Sequence, residues 1–265
     1  MIRIVKKPTD TPDDNSTGMV ADALKKRGVD FSYLDLDSID LFSGEIENDL
    51  IWVCGIKQTG IHFDAISALS LRNRVVNSPE AIAICANKAQ TTARLLRDNV
   101  PTPETIFTDS VEKVEEFLRE QKKVVYKPVY GYDGNGIYPM DDISMLGESP
   151  YYIQEFIENI CDYRVFVING RAVGAIKRES DTFAHNIHQG GSGVPVVDIP
   201  EDMADIASQA ALSVGIDYCG VDLLDYGNSY TVLEVNGTPN WHCMGAPIWD
   251  YLAEYLTEQE NELKS

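Results

Sequence analysis

The sequence predicts an α/β protein with a small parallel sheet first and mixed sheets after it. Three observations predict this. In the first 77 residues strands and helices alternate in the rhythm of a parallel sheet with crossovers. Beyond residue 100, apolar strands follow one another with fewer crossovers, and Asn169-Gly170 between two alternating runs is the signal for a hairpin with a type I′ turn. The 265 residues are 44% hydrophobic, with a mean hydropathy of −0.19, which suits a packed chain rather than a disordered one.

Taken in order, residues 1–6 read as a strand and 16–27 as a helix stopped by Gly28. "FSYLDL" and "DLIWVCGI" are the next two strands, and "HFDAISALSLRN" is a helix. "RVV" is a short strand, after which Ser-Pro opens one long amphipathic helix through "EAIAICANKAQTTARLLRDN". The two prolines of "VPTPE" mark a linker, and "SVEKVEEFLREQ" is a helix with Ser110 as its N-cap. "KVVYKPV", "GIYPM" and "YYIQEFI" are strands. "EDMADIASQAALSVG" is a helix, residues 218–226 and 229–235 form a last hairpin, and residues 247–264 close with a helix. These elements place a domain boundary near residue 77, giving domains 1–77 and 78–265, with a smaller lobe over about 100–157.

With 42 acids against 22 bases, the formal net charge is −20. Such a surface repels nucleic acid and anionic membrane, and no basic cluster beyond "KK" offsets it. No apolar run is long enough to span a bilayer and no signal-peptide pattern opens the chain, so a cytoplasmic protein with no membrane partner is expected. Cys54, Cys85, Cys161, Cys219 and Cys243 form no CxxC and mostly sit among apolar residues, as reduced buried thiols do.

Two segments carry chemistry. "KPVYGYDGNGIY" has glycines at 131, 134 and 136 beside Lys127. Glycine lets backbone N–H groups converge on an anion. The loop leads into a strand, which excludes a Rossmann fingerprint, and it lacks the GK[ST] ending of a Walker A loop. Lys127, within the apolar run "VVYKPV", lies at a strand edge or pairs with an anion. Lys88 is a second candidate cation, though a helix lysine is ordinarily solvated. The other segment, "VDLLDYGNSYTVLEVNGTP", places Asp222 on one strand and Glu234 and Asn236 two apart on the next. Two carboxylates and an amide oxygen are hard ligands suited to Mg²⁺, with Mn²⁺ as a second candidate. The plainer reading is turn acids, with Asp225 in the turn, and an asparagine supporting "NGTP".

Together these residues resemble the ATP-grasp superfamily, and within it the RimK-like amino-acid ligases. The resemblance rests on "SPEAIAICANKAQTTARLL", "VPTPET", "VVYKPVYGYDGNGIY", "YIQEFIE", "DYRVFVINGRAVGAIKRES", "NIHQGG", "GIDYCGVDLL" and "TVLEVNGTPN", in that order over roughly residues 78–240. It implies an ATP-grasp fold behind an N-terminal pre-ATP-grasp α/β domain. It implies ATP as cosubstrate, with Lys88 and Lys127 on its phosphates and the Gly131, Gly134 and Gly136 loop as a flap over them. Gln154, Glu155, Phe156 and Ile157 resemble the strand that reads adenine, and Asp162 the ribose contact. Asp222, Glu234 and Asn236 resemble the Mg²⁺ ligands. Arg178 resembles the arginine that steadies the acyl phosphate, and Asn186 lies in the segment that contacts the transferred phosphate or the acceptor.

The sequence departs from the family in two places. Tyr132 and Asp133 stand where the flap usually has a serine, and Gln189 where an arginine is frequent. The implied reaction is ligation of an amino acid, L-glutamate, to a small-molecule carboxylate acceptor through an acyl phosphate, with a pterin or deazaflavin cofactor as acceptor. Ligation to a protein C-terminus or an amino-carrier protein is the alternative, and a non-catalytic nucleotide-binding adapter, a D-alanine ligase or a biotin carboxylase are further readings. The family also implies a homo-oligomer. His185, His188 and His242 are candidate substrate contacts, and Trp241 packs either on substrate or in the core. Lys57, His62, Arg72 and Arg74 are the N-terminal cations that could meet an acidic substrate, or else solvated surface.

Overall fold

The computed structural model describes residues 1–12, 15–57, 60–131, 135–179, 192–241 and 244–265. Strands β1 (Ile2–Val5), β2 (Phe31–Tyr33), β3 (Leu50–Val53) and β4 (Arg74–Val76) form a parallel sheet in the order β2-β1-β3-β4. Helices α1 (Ser16–Lys26) and α2 (His62–Leu69) cover it. All four residues of β3 are buried, as a central parallel strand packed on both faces requires. One face packs Val5, Ile51 and Val53 with Ala65, Ile66 and Leu69. The other packs Ile2, Ile4 and Trp52 with α1.

A second core under that sheet joins parts far apart in the chain. Helix α7 (Ile248–Lys264) returns onto α1 and β3. Its Ile248, Leu252 and Leu256 are fully buried, each contributing about 1.5–3 kcal/mol by leaving water. A division at residue 77 would therefore separate the parallel sheet from a helix that covers it. Arg74 strengthens the joint through Asp217 and Gln259.

The long helix expected after "NSP" is two helices. Helix α3 (Pro79–Ala86) stops at Asn87 and α4 (Lys88–Arg97) starts beyond it. Asn87 is extended, with φ −112° and ψ 105°, and its side chain accepts from Gln90 N as an N-cap. Its backbone bridges Tyr130, and its side-chain amide donates to the Tyr130 hydroxyl at 2.9 Å. A helix propensity read locally cannot register a partner 43 residues away.

The small lobe is an antiparallel sheet in the order β5-β8-β6-β7. Its strands are β5 (Thr105–Thr108), β6 (Val124–Lys127), β7 (Tyr138–Met140) and β8 (Tyr151–Glu155). Helix α5 (Val111–Gln121), capped by Ser110, packs Val114 and Phe117 against Val124 and Ile153 on one face. The other face turns Lys127, Tyr152 and Gln154 toward α4, where Thr92 and Tyr152 share a hydrogen bond at 2.7 Å.

The large lobe is a sheet of β9 (Cys161–Ile168), β10 (Arg171–Glu179), β11 (Ser192–Pro195), β12 (Tyr218–Tyr226) and β13 (Ser229–Asn236), ordered β11-β10-β9-β12-β13. The β9–β10 turn carries φ 50° at Asn169 and 69° at Gly170, the type I′ geometry the sequence predicts. Asp225, expected in a turn, lies on β12 opposite Tyr230, because the reversal is made by Gly227-Asn228. Val165, Val167, Val221 and Leu223 pack on α6 (Glu201–Val214). The opposite face supplies Phe166, Ile168 and Tyr218 to the core shared with β3 and α7.

Candidate active site

Along that second face, the apolar residues give way to charge. Cross-strand pairing aligns Glu234 with Asp222, Asp222 with Arg164, and Asp162 with Arg178. One irregularity makes this possible. Asp222 faces Glu234, but Leu223 faces Val232, so Leu233 is an extra residue and the strand bulges there. Strict alternation would put Val232 on the face of Glu234 and Asn236. The bulge instead lets both Val232 and Val235 enter the core while Glu234 and Asn236 keep the other face.

Asp222 is only 3% exposed. Arg164 grips it with two hydrogen bonds, Nε to Oδ1 and Nη2 to Oδ2, both 2.7 Å. Arg178 Nη2 lies 2.9 Å from Oδ2, while its Nε and Nη2 donate to the two oxygens of Asp162 at 2.6 and 2.8 Å. Burial works against a charged Asp222, yet the two guanidiniums outweigh it and hold its carboxyl well below the usual carboxylate range. Burial likewise works against charge on Arg178, and Asp222 and Asp162 together keep its pKa above the ordinary value. Gly220 serves this arrangement by its smallness. A Cβ there would lie 3.0 Å from Pro239 Cβ and 3.2 Å from Arg164 Cδ, so any side chain would press on the arginine stem.

Across the cleft, Lys127 is buried and donates to Gln154 Oε1, and Gln154 in turn donates to Thr105 Oγ1 at 3.0 Å. Burial lowers the Lys127 pKa to about 8, with Lys88 acting in the same direction and Glu234 and Asp222 opposing it. Lys127 thus lies within electrostatic range of Lys88, Asp222 and Glu234. Lys88 is 8% exposed, not solvated. The helix break at Asn87 sets it as the first residue of α4, its backbone N–H reaches Val129 O at 3.1 Å, and its Nζ reaches Gly131 O at 3.3 Å.

Among the described residues no group of three or more His, Cys, Asp or Glu could hold a metal. Asp222, Glu234 and Asn236 instead offer two carboxylates and an amide. The Asn236 Nδ2 donates to Gly220 O at 3.3 Å, which leaves its side-chain oxygen as a ligand. So few protein oxygens fit Mg²⁺, which keeps waters and substrate phosphates in its shell.

Gly131 and Gly136 flank the loop, and Gly136 has φ +72°, the conformation that favours glycine. Gly134, Tyr132, Asp133, His185, Asn186, His188, Gln189, His242 and Cys243 lie outside the described residues. The expected adenine strand is shorter: β8 ends at Glu155, so Phe156 and Ile157 follow it, with the Lys123 ammonium 3.8 Å from the Phe156 ring centre. Trp241 is core, 3% exposed and edge-on to Phe166. The N-terminal cations have acidic partners: Lys57 and His62 meet Asp37, Arg72 meets Glu47 and Arg74 meets Asp217. Burial pushes the Cys85 thiol up to about 12, consistent with an inert sulfur.

Two participants escaped the sequence reading. Arg164 is one, and its signal was "DYR", which puts it two residues from Asp162 on the same strand face. Lys7 is the other: its Nζ reaches Thr238 O and Pro239 O at 3.4 and 3.3 Å, tying the end of β1 to the loop after β13.

The RimK-like ATP-grasp domain matches residues 85–248, which contain both lobes of this cleft except the first turns of α3. The chain belongs to the RimK-like ATP-grasp family. As a RimK-like ATP-grasp protein it is an ATP-dependent ligase that forms an amide bond. It is 34% identical over 226 residues to the tetrahydromethanopterin:alpha-L-glutamate ligase of Methanosarcina acetivorans, covering 69% of each chain. It is 31% identical over 209 residues to the enzyme of the same name in Methanocaldococcus jannaschii, covering 71% of this chain and 72% of that one. In fold this RimK-like protein is similar to the ATP-grasp ligase PsnB, solved with a precursor variant, Mg and ADP (TM-score 0.77, 22% identity, 98% of both chains). It is similar too to the D-alanine–D-alanine ligase of Bacillus anthracis (TM-score 0.70, 16% identity, 99% of this chain and 97% of the other).

Proposed function

We propose that this protein adds L-glutamate to a carboxylate on a reduced pterin cofactor, using ATP and passing through an acyl phosphate. The observation that carries the reading is the cleft itself. Lys127 on β6, itself buried, lies within electrostatic range of buried Lys88 on α4 and of Asp222 and Glu234 on the large sheet. The pterin acceptor is supported by the names of the methanogen relatives at 34% and 31% identity.

The chain's own residues account for most of the chemistry. Lys88 and Lys127 offset phosphate charge that would otherwise repel an incoming carboxylate. Asp222, Glu234 and Asn236 would hold Mg²⁺, and Mn²⁺ is expected to replace it at the same oxygens. When bound, the metal neutralises negative charge on the phosphate oxygens. Arg178, paired with Asp162 and Asp222, is assigned to steady oxygens on which charge develops as the acceptor carboxylate attacks the γ-phosphate and the amine then displaces phosphate. Asn186 is assigned to the acceptor side. No nucleophile from the protein is needed.

The test is phosphate release from ATP and Mg²⁺ with each amino acid crossed with a tetrahydropterin bearing a carboxylate, a deazaflavin cofactor and a glutamate-terminated peptide. Mass spectrometry reads the product. The expected result is ADP, phosphate and a pterin heavier by one glutamyl residue, with turnover lost in Asp222→Ala. Product from the deazaflavin or the peptide alone would overturn the acceptor. Nucleotide binding with no product from any pair would favour an adapter.

A further inference from the structure

We infer that Arg164 is a positioning residue that restricts Asp222 to one-oxygen contact with a cation and so makes the site prefer Mg²⁺ to Ca²⁺. The inference rests on the assignment of Asp222 as a metal ligand. An ionised carboxylate has about four acceptor positions, two on each oxygen. Arg164 uses one on Oδ1 and one on Oδ2, and Arg178 uses a second on Oδ2. One position remains, on Oδ1. Strand order fixes the side from which these donors come. Arg164 on β9 and Arg178 on β10 both lie on one side of β12, and Glu234 on β13 lies on the other.

Asp222 therefore cannot turn both oxygens toward Glu234 without giving up the fork. The fork is held in place. Asp222 and Arg178 are almost fully buried, Arg164 is largely so, and the Arg164 stem is wedged against Gly220. Mg²⁺ binds carboxylates through single oxygens in a tight octahedron. Ca²⁺ takes six to eight oxygens and readily uses both oxygens of one carboxylate. A carboxylate limited to one oxygen costs Mg²⁺ little and deprives Ca²⁺ of a ligand. The residual charge balance agrees: with two guanidiniums on Asp222, Glu234 brings the negative charge that a divalent cation would meet. Among the described residues Glu234 makes no ion pair.

The experiment uses the full chain with a non-hydrolysable ATP analogue. Bound Mn²⁺ is followed by electron paramagnetic resonance while Mg²⁺ or Ca²⁺ displaces it, giving both affinities without turnover. Arg164→Gln should lower the preference for Mg²⁺ over Ca²⁺ by about tenfold or more, the usual scale for groups that orient a metal ligand. Arg164→Lys keeps the charge but cannot fork across two oxygens, so it should lose preference as Arg164→Gln does. Circular dichroism confirms that each variant is folded. If Arg164→Lys keeps the wild-type preference, charge alone decides and the inference fails. An unchanged preference in both variants also overturns it, while Asp222→Asn still weakens Mn²⁺ binding. If Asp222→Asn leaves Mn²⁺ binding intact, the ligand assignment itself is wrong.

Discussion

Lys127 shows how burial turns an ordinary side chain into a titrating one. Its ammonium lies beneath the small sheet, with Gln154 as hydrogen-bond partner and Lys88 nearby, and its pKa falls to about 8. In the proposed reaction the protonated form is the one that meets phosphate. Nucleotide affinity should therefore weaken as pH rises above about 8, by up to about tenfold per unit. Titration calorimetry with an ATP analogue from pH 7 to 10 would read this, and Lys127→Arg should flatten the curve. A wild-type affinity that does not change over that range would remove Lys127 from the phosphate site. The same group affects stability with a definite sign. Its folded pKa lies below the unfolded value, so between about 8 and the ordinary lysine value the unfolded chain binds more protons. Its contribution to stability grows with pH over that window.

At the scale of elements, the break at Asn87 matters most to the site. A continuous helix would carry Lys88 in its middle with a freely turning side chain. The cap instead starts α4 at Lys88, and the Asn87–Tyr130 bridge brings that start to the glycine loop. Asn87→Ala should cost about 1 kcal/mol from the cap alone and should also weaken nucleotide binding by releasing Lys88. Ser110→Ala removes a similar cap from α5, whose Ser110 accepts from Lys113 N at 3.3 Å. It should lower the melting temperature comparably and leave nucleotide affinity unchanged. Equal effects of the two substitutions on affinity would mean that the Asn87 break is only structural. The bulge at Leu233 is the second such device, since it reconciles two core valines with Glu234 and Asn236 on the opposite face of one strand.

Over the whole molecule, the acidic surface and the central cleft act on different ranges. A net charge of −20 repels itself at low salt. The screening length drops from roughly 30 Å at 0.01 M salt to roughly 3 Å at 1 M. The melting temperature should therefore rise as sodium chloride is added, and a calorimetric scan at low and at high salt would measure it; a fall would show that ion pairs such as Arg164–Asp222 and Arg74–Asp217 outweigh surface repulsion. Among the described residues no helix is long and apolar enough to cross a membrane.

By itself the sequence determined the parallel start, the hairpins at Asn169-Gly170 and Gly227-Asn228, most helix ends, and the residue types of the cleft. These depend on near neighbours: alternation, caps and glycines act within a few residues. Tertiary structure alone decided what spans long separations. The division of one expected helix at Asn87 needed Tyr130. The return of α7 onto the parallel sheet needed a core assembled from both ends of the chain. The loss of the N-terminal cations to Asp37, Glu47 and Asp217 needed partners that periodicity does not reveal. Arg164 was visible as a residue but not as the partner of Asp222, because the register that joins them pairs strands 58 residues apart. Hydrogen bonds and ion pairs reward proximity in space, and only folding converts sequence separation into that proximity.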